Sequence, residues 1–425
     1  MNLGSATAFL VLASLVTLGI ACAGQDSPAL DPEPGPDSSR TLDGGGPDAT
    51  SDDEPDDEPD LDDAGPTSKT CSDDGFCYVQ VPLKKPLVAV SASSVDDAWM
   101  LPLDSNKLLH WDGTSMTVAY VEPAPFVFNA LWGQNKDNLW ALGGGASGHV
   151  HIVRYSSVGG APPAFRGLET KVRSAEYKME LWGTPAGDAL WMLTDFGLYR
   201  VHEEATGAVV EDDVGPIPDA RGEFNLYAWN SVWGFAADDI YLAGKICRDD
   251  LGRGFCAHDT ARGGIAHWDG TSWTISPVGN SLEVLAMRGT APDSTERQLW
   301  ITSVNLVGLS HVVRTDLVPV TSEGLGKPTF THALGSAPEC SGRIGQAVSA
   351  TTGWFADRVL VCRWNGTHLE PVRTTIGGSR VIDSVGSIWA KGDETWVVGT
   401  SQSPWGGADR PFAAWRKATA PGANQ

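Results

Sequence analysis

A closed circle of seven four-stranded antiparallel sheets is the fold the sequence predicts, and three observations predict it. A unit recurs seven times after residue 70, most completely over Ser231–Trp273. Its heads lie 41, 50, 51, 55, 61 and 40 residues apart, a spacing that fits one four-stranded β-propeller blade. Helical periodicity is absent, whereas strand-like alternation such as Ile265-Ala266-His267-Trp268 sits between Gly and Asp turns, the pattern of antiparallel sheets.

The chain opens with 21 residues that hold no acid or base, apolar from Ala8 to Ile20, ending Gly19-Ile20-Ala21 before Cys22. The apolar run is too short to span a bilayer comfortably and reads as an export signal. It resembles a bacterial lipoprotein signal, which implies that Cys22 becomes the lipidated N-terminus. Departures are the missing early Lys or Arg and Gly19 in place of a larger aliphatic; the alternative is an ordinary signal cut near Ala21 or Ala23.

Residues 22–70 are expected to form a disordered acidic tether. Ala23–Thr70 holds 15 acids, seven of them within Asp52–Asp60, against Arg40 and Lys69, so it carries −13 of the formal −23. Such a composition buries too little apolar surface to offset chain entropy, and like charges extend it. Weak calcium collection by the acidic run is the rival to a plain spacer, but nothing there supplies a fixed coordination shell. The remaining −10 on the body, with no basic run, argues against nucleic acid and against direct docking on anionic lipid.

Within residues 71–417 the heads are Val90-Ser91-Ala92, Leu131-Trp132-Gly133, Leu181-Trp182-Gly183, Val232-Trp233-Gly234, Met287-Arg288-Gly289, Val348-Ser349-Ala350 and Ile388-Trp389-Ala390. Second strands follow at Ala98-Trp99-Met100, Leu139-Trp140-Ala141, Leu190-Trp191-Met192, Ile240-Tyr241-Leu242, Leu299-Trp300-Ile301, Val359-Leu360-Val361 and Thr395-Trp396-Val397. Val359–Trp364 also suits a third strand, which leaves the sixth copy crowded. Third strands end at His110, Arg154, Arg200, His267, Arg314 and Arg363, with Ala414 breaking the series. Asp269-Gly270 between two such runs predicts a type I′ hairpin. Residues 418–425 offer no strand, so Tyr78–Val81 is expected to complete the last blade beside Phe412–Arg416, closing the ring with both chain ends.

Setting Cys22 aside leaves six cysteines, an even number suited to a disulfide framework in an exported protein. Proximity suggests Cys71–Cys77, Cys247–Cys256 and Cys340–Cys362. A metal at Cys247, Cys256 and His258, or at His149 and His151, lacks a complete ligand spacing. The third-strand cations could line an anion site or pair with acids such as Asp97, Asp188 and Asp239. Most of the 17 tryptophans fall at repeat positions and read as inter-blade core; Trp229, Trp354 and Trp405 lie off the pattern and are the candidate ligand-binding aromatics. Gly143-Gly144-Gly145 reads as a blade loop, since no helix follows to hold a phosphate.

The Trp-Gly, Leu-Trp and Trp268-Asp269-Gly270-Thr271-Ser272-Trp273 elements resemble bacterial propeller-repeat lipoproteins and, more distantly, BNR/Asp-box and WD-repeat propellers, over Tyr78–Trp415. Asp269-Gly270 lacks the residue an Asp-box carries between Asp and Gly, and no catalytic residue transfers. The expectation is a lipid-anchored, monomeric, non-enzymatic module of the bacterial cell envelope, in the outer membrane because Ala23 rather than Asp follows Cys22, binding a protein or a glycan without metal or cofactor. The alternatives are a propeller enzyme resembling glycoside hydrolases, with paired channel carboxylates, and an envelope assembly scaffold.

Overall fold

The computed structural model describes residues 71–123, 126–145, 148–158, 160–173, 179–184, 187, 189–194, 197–203, 209–215, 226–247, 261–278, 281–290, 297–305, 310–316, 329–332, 340, 344–349, 351–357, 359–374, 382–401 and 410–417. Among these residues there is no helix, and the strands form seven four-stranded antiparallel sheets. The first sheet is β2 (Leu87–Ser94), β3 (Asp97–Pro102), β4 (Lys107–Trp111) and β5 (Met116–Val121). The second is β6 (Phe126–Asn135), β7 (Asn138–Gly145), β8 (His149–Ser156) and β9 (Ala164–Arg173); the third is β10 (Glu180–Gly183), β11 (Ala189–Leu193), β12 (Leu198–Glu203) and β13 (Val209–Gly215). The fourth is β14 (Leu226–Ala236), β15 (Asp239–Cys247), β16 (Arg262–Trp268) and β17 (Trp273–Pro277); the fifth is β18 (Ser281–Gly289), β19 (Gln298–Asn305), β20 (Ser310–Asp316) and β21 (Thr329–His332). The sixth is β22 (Ile344–Ser349), β23 (Thr352–Asp357), β24 (Leu360–Trp364) and β25 (Leu369–Val372). The seventh joins β26 (Ile382–Lys391), β27 (Glu394–Ser401) and β28 (Arg410–Arg416) to β1 (Cys77–Tyr78) from the other end of the chain.

Apolar side chains explain why sheets stack rather than stand alone, since an isolated blade leaves both faces wet. Among the described residues seven buried clusters occur, and each draws on two successive sheets. One unites Trp396, Val398 and Ala413 of the last sheet with Val90, Met100 and Leu109 of the first. The first strands of successive sheets also touch in a cycle that returns from β26 to β2.

The small residue at the end of a head has a specific cause. A Cβ on Gly183 would lie 2.4 Å from Trp132, one on Gly234 2.8 Å from Trp182, and one on Gly289 2.0 Å from Trp233. Trp132, Trp182 and Trp233 therefore each occupy the space left by the glycine of the following head. In the first sheet Ser91 holds the tryptophan position, and its hydroxyl instead bonds across the gap, accepting from Gly133 N at 2.8 Å and donating to Gly133 O at 3.0 Å.

The strand that joins the two chain ends is shorter than Tyr78–Val81 and starts one residue earlier. Cys77 pairs with Trp415 and Tyr78 with Ala414, after which Val79 N donates to Ala413 O at 2.9 Å. Prolines and the turn at Pro82–Pro86 carry the chain off the edge, because proline donates no ladder hydrogen bond. Phe76, fully buried, is the wedge beneath this strand and meets Trp354 edge-on at 5.9 Å. The Cys71–Cys77 disulfide closes a loop around it, in which Ser72 Oγ accepts from Phe76 N at 3.0 Å.

The sixth sheet corrects one expected register. Its second strand is Thr352–Asp357, not Val359–Val361, and Leu360–Trp364 is the third. The Asp-Gly hairpins differ too. Trp268 pairs with Trp273, leaving a four-residue loop in which Gly270 has positive φ and Asp269 does not. A two-residue type I′ turn would need positive φ at both. Asp269 Oδ1 instead accepts from Thr271 N at 2.9 Å, Ser272 N at 2.8 Å and Thr271 Oγ1 at 2.7 Å, an Asx arrangement. Asp112 does the same with Thr114 and Ser115, and Asn365 with Thr367 and His368.

These bonds favour the carboxylate and hold Asp112 and Asp269 at about 2, against an ordinary 3.8, with the threonine hydroxyl the largest cause. A depressed folded-state value gives stability that is complete above pH 3.8 and disappears as pH falls through 2. Asn365 shows that an amide fills the same role, so Asp269→Asn is expected to flatten the acid limb of the stability curve while changing neutral stability little. Asp269→Ala is expected to cost about 1 kcal/mol at neutral pH, measured by urea denaturation between pH 2 and 7.

Candidate functional site

The third-strand cations are placed by register. Trp99 faces His110, Trp140 faces Arg154, Trp191 faces Arg200, Tyr241 faces His267, Trp300 faces Arg314 and Trp354 faces Arg363 across the second and third strands. In the last sheet Trp396 faces Trp415, so the series ends on an aromatic there, one residue beyond the expected Ala414. Three of these pairs lie in close face contact. His110 lies 4.2 Å from Trp99 at 27°, His267 4.2 Å from Tyr241 at 13°, and the Arg154 guanidinium 4.1 Å above Trp140.

His110, His267, Arg154 and Arg363 also take an acid or amide, most of them from strand ends. His110 Nε2 is 2.7 Å from Asp97 Oδ1 and His267 Nε2 2.8 Å from Asp239 Oδ1, while Arg297 from the next sheet reaches Asp239 at 2.6 Å. Arg363 pairs with Asp393 of the following sheet. Asp188 lies outside the described residues. Arg154 is the most enclosed, 3% exposed, and donates to Asn138 Oδ1 at 2.5 Å, Leu139 O at 3.0 Å and Glu203 Oε2 at 3.2 Å. Burial pulls its guanidinium down to about 10, with Glu203 opposing the shift, so it remains charged at neutral pH. A cation so committed braces two blades and presents little to an anion.

The candidate aromatics separate. Trp354 is 0% exposed, which overturns its reading as a ligand contact. It holds the second-strand position of its sheet, and Arg363 and Arg416 lie 5.8 and 5.4 Å from its ring. The sequence misplaced it because an apolar Val359-Leu360-Val361 run competed for the same strand. Trp229 is half-buried in β14 and packs on the cluster between the third and fourth sheets. Trp405 and Cys22 lie outside the described residues.

Cys71–Cys77 and Cys340–Cys362 are disulfides, and Cys247 is disulfide-bonded, while its expected partner Cys256 lies outside the described residues. No group of three metal-ligating side chains is found among the described residues. Gly143-Gly144-Gly145 closes β7 rather than forming a loop, and a Cβ on Gly143 would fall 1.9 Å from Val127 O. His149 and His151 both lie on β8. His151 meets Phe126 edge-on at 5.1 Å, and its Nε2 is 3.5 Å from Glu122 Oε2, which also accepts from the Tyr120 hydroxyl at 2.8 Å. Burial, then that carboxylate, push the Tyr120 phenol up. This Tyr-Glu-His group was not legible beforehand, since Tyr120 and Glu122 lie at the end of β5 and His151 belongs to β8 of the next sheet.

Polar side chains also converge on the first strands of the third, fourth and fifth sheets. Arg288 stands where four other heads carry tryptophan. Its guanidinium donates to Met287 O at 2.7 Å and Ser231 Oγ at 3.0 Å, and reaches Glu180 two sheets away at 3.4 Å. Asn230 donates to Glu283 Oε1 at 2.8 Å and Val284 O at 2.9 Å. A bulge in β14 between Trp229 and Ser231 brings Asn230 to this position, as bulges re-aim side chains. Arg288 and Glu180 are each about one-third exposed, at 30% and 32%. The arrangement offers a polar ligand both hydrogen-bond donors and acceptors, already paired with one another across three blades.

No protein-family model matches the sequence, and no curated protein matches it significantly. Solved structures do match in shape. The β-propeller domain of Cps50 (Swd1) from Myceliophteria thermophila aligns at 13% identity over 81% of this chain and 99% of its own, with a TM-score of 0.54. YCF48 bound to D1 peptide aligns at 12% identity over 81% and 97%, TM-score 0.46, and a streptogramin B lyase at 12% over 80% and 96%, TM-score 0.48. At these identities the likeness supports the propeller fold alone.

Proposed function

We propose that this chain is a non-enzymatic binding module: a seven-bladed ring, shut by its two chain ends, held to the bacterial envelope through Cys22 and lifted from the membrane by the acidic tether, where it engages a protein or a glycan. The observation that supports this reading is how the ionisable groups are spent. His110, Arg154, His267 and Arg363 lie against second-strand aromatics and pair with acids or amides, while Glu180 and Glu283 are engaged by Arg288 and Asn230. Groups used this way rigidify a surface. A general acid or nucleophile needs a reacting position left open to it.

Two measurements test the reading. A glycan array and a glycosidase substrate panel should give saturable capture without turnover; turnover abolished by Glu180→Gln or Glu283→Gln would replace the module with an enzyme. Cys22→Ser should release the protein from the membrane fraction into the soluble envelope fraction, and unchanged partition would remove the lipid anchor.

A further inference from the structure

The first sheet ends in an unusual edge. Four large apolar residues are exposed among the described residues, and three of them, Leu103 at 42%, Val118 at 38% and Val121 at 47%, belong to this one blade. Its outer strand β5 reads Met-Thr-Val-Ala-Tyr-Val, without a charge, a proline or a glycine. Most other outer strands carry the usual guards against pairing with foreign strands, and β21, Thr-Phe-Thr-His, lacks a charged guard but is only four residues long. β9 holds Arg166, Lys171 and Arg173, β13 holds Glu211, Asp212 and Asp213, β17 ends on Pro277, β25 contains Glu370 and Pro371, and β1 is two residues long.

A bulge arranges the exposed side chains. Val118 pairs with Leu109, Tyr120 with Leu108 and Val121 with Lys107, so Ala119 is the extra residue. Alternation would have put Val118 and Val121 on opposite faces; the inserted residue returns them to the same one, away from Tyr120, which packs on Phe165 at 4.4 Å.

The surroundings are basic in a chain of net charge −23. Lys85 Nζ donates to Asp104 O at 3.0 Å, and Leu103 N donates to Pro86 O at 2.7 Å, which fixes Lys84 and Lys85 beside Leu103. Lys107 lies across from Val121. Asp104 is an acid at this corner, and Glu122 is buried on the far side with Tyr120.

We infer that β5 is a docking edge for an extended, acidic and apolar segment of a partner protein, added as a fifth strand with its apolar residues over Val118 and Val121 and its carboxylates toward Lys84, Lys85 and Lys107. This rests on the binding-module reading and names its partner class. Main-chain pairing supplies affinity in such strand addition, and side chains supply selection. A second copy of this chain fits poorly, since it would set the same lysines against each other and join two acidic bodies.

The test uses the purified full-length protein and a fluorescein-labelled nine-residue peptide of alternating valine and glutamate, followed by anisotropy. Binding is expected, weakened by salt, and at least about tenfold weaker with Val121→Glu or Lys85→Glu; unchanged melting of both variants checks that the fold is intact. A matched valine–lysine peptide should bind far less. Equal binding of the two peptides, no binding of either, or indifference to Val121→Glu would each overturn the assignment. So would self-association in sedimentation that Val121→Glu abolishes, which would give the edge to a second copy. If a glycan or envelope protein is captured equally well by wild type and Val121→Glu, the edge is wrong and the module reading stands.

Discussion

Phe76→Ala is expected to lower stability by about 3–5 kcal/mol, the range for truncating a fully buried phenylalanine. The cost should fall near the top of that range because the side chain fills the joint between the chain ends. Phe76 is 0% exposed and belongs to the cluster that unites Trp354, Ala356 and Val361 of the sixth sheet with Ile382, Val385 and Phe412 of the seventh. The strand it supports is two residues long, so few main-chain bonds back it up. Arg416 Nε donates to Asp74 O at 2.9 Å and ties the same segment to the last strand. Guanidinium denaturation of Phe76→Ala should show an earlier midpoint. Removal of Cys71–Pro82 should abolish the single cooperative transition, whereas removal of Gln25–Thr70 should leave it nearly unchanged. A midpoint that stays put in Phe76→Ala would mean that the ring closes without this wedge.

Arg154→Ala carries the second large expectation, also about 3–5 kcal/mol, because it removes the most buried member of a charged group together with its bonds to buried acceptors. Glu203 would keep Arg166, and Ser156 Oγ would keep its bond to Glu203 at 3.1 Å. Asn138 and the carbonyl of Leu139 would each lose a donor. The Trp140 face would lose its cation at 4.1 Å, worth about 1–2 kcal/mol when dry. Replacing both Arg154 by Met and Glu203 by Gln should cost less than the two single changes summed, since the two side chains bond directly at 3.2 Å. A double-mutant cycle by urea denaturation reads this directly, and additive losses would refute the coupling.

Much of this architecture could be read from residue types. A tryptophan followed by glycine at each complete head is a packing instruction: Trp132 needs the space at Gly183, and Trp233 the space at Gly289. An aromatic in the second strand and a cation in the third likewise announce a cross-strand pair, visible as Trp99 with His110 and Tyr241 with His267. The misreadings share a cause. Trp354 looked irregular because Val359-Leu360-Val361 offered an equally apolar strand, and hydrophobicity alone does not choose between adjacent runs. Register does, through Trp354 facing Arg363. The Asp-Gly turn was recognised, but its loop length depended on a carboxylate accepting bonds from Thr271 and Ser272.

The candidate surfaces were the least legible part. Glu180 and Arg288 are 108 residues apart in the chain and meet at 3.4 Å, and no local pattern marks them. The edge at β5 likewise emerges only when its neighbours' charges and its own bulge are seen together. Sequence by itself determined the repeating unit, its strand order and the composition of its core, because those follow from periodicity and side-chain volume within some forty residues. Only the tertiary structure decided which polar groups face one another and which apolar ones stay uncovered. Those outcomes depend on contacts between blades distant along the chain, and the energy of such a contact is a property of two surfaces together.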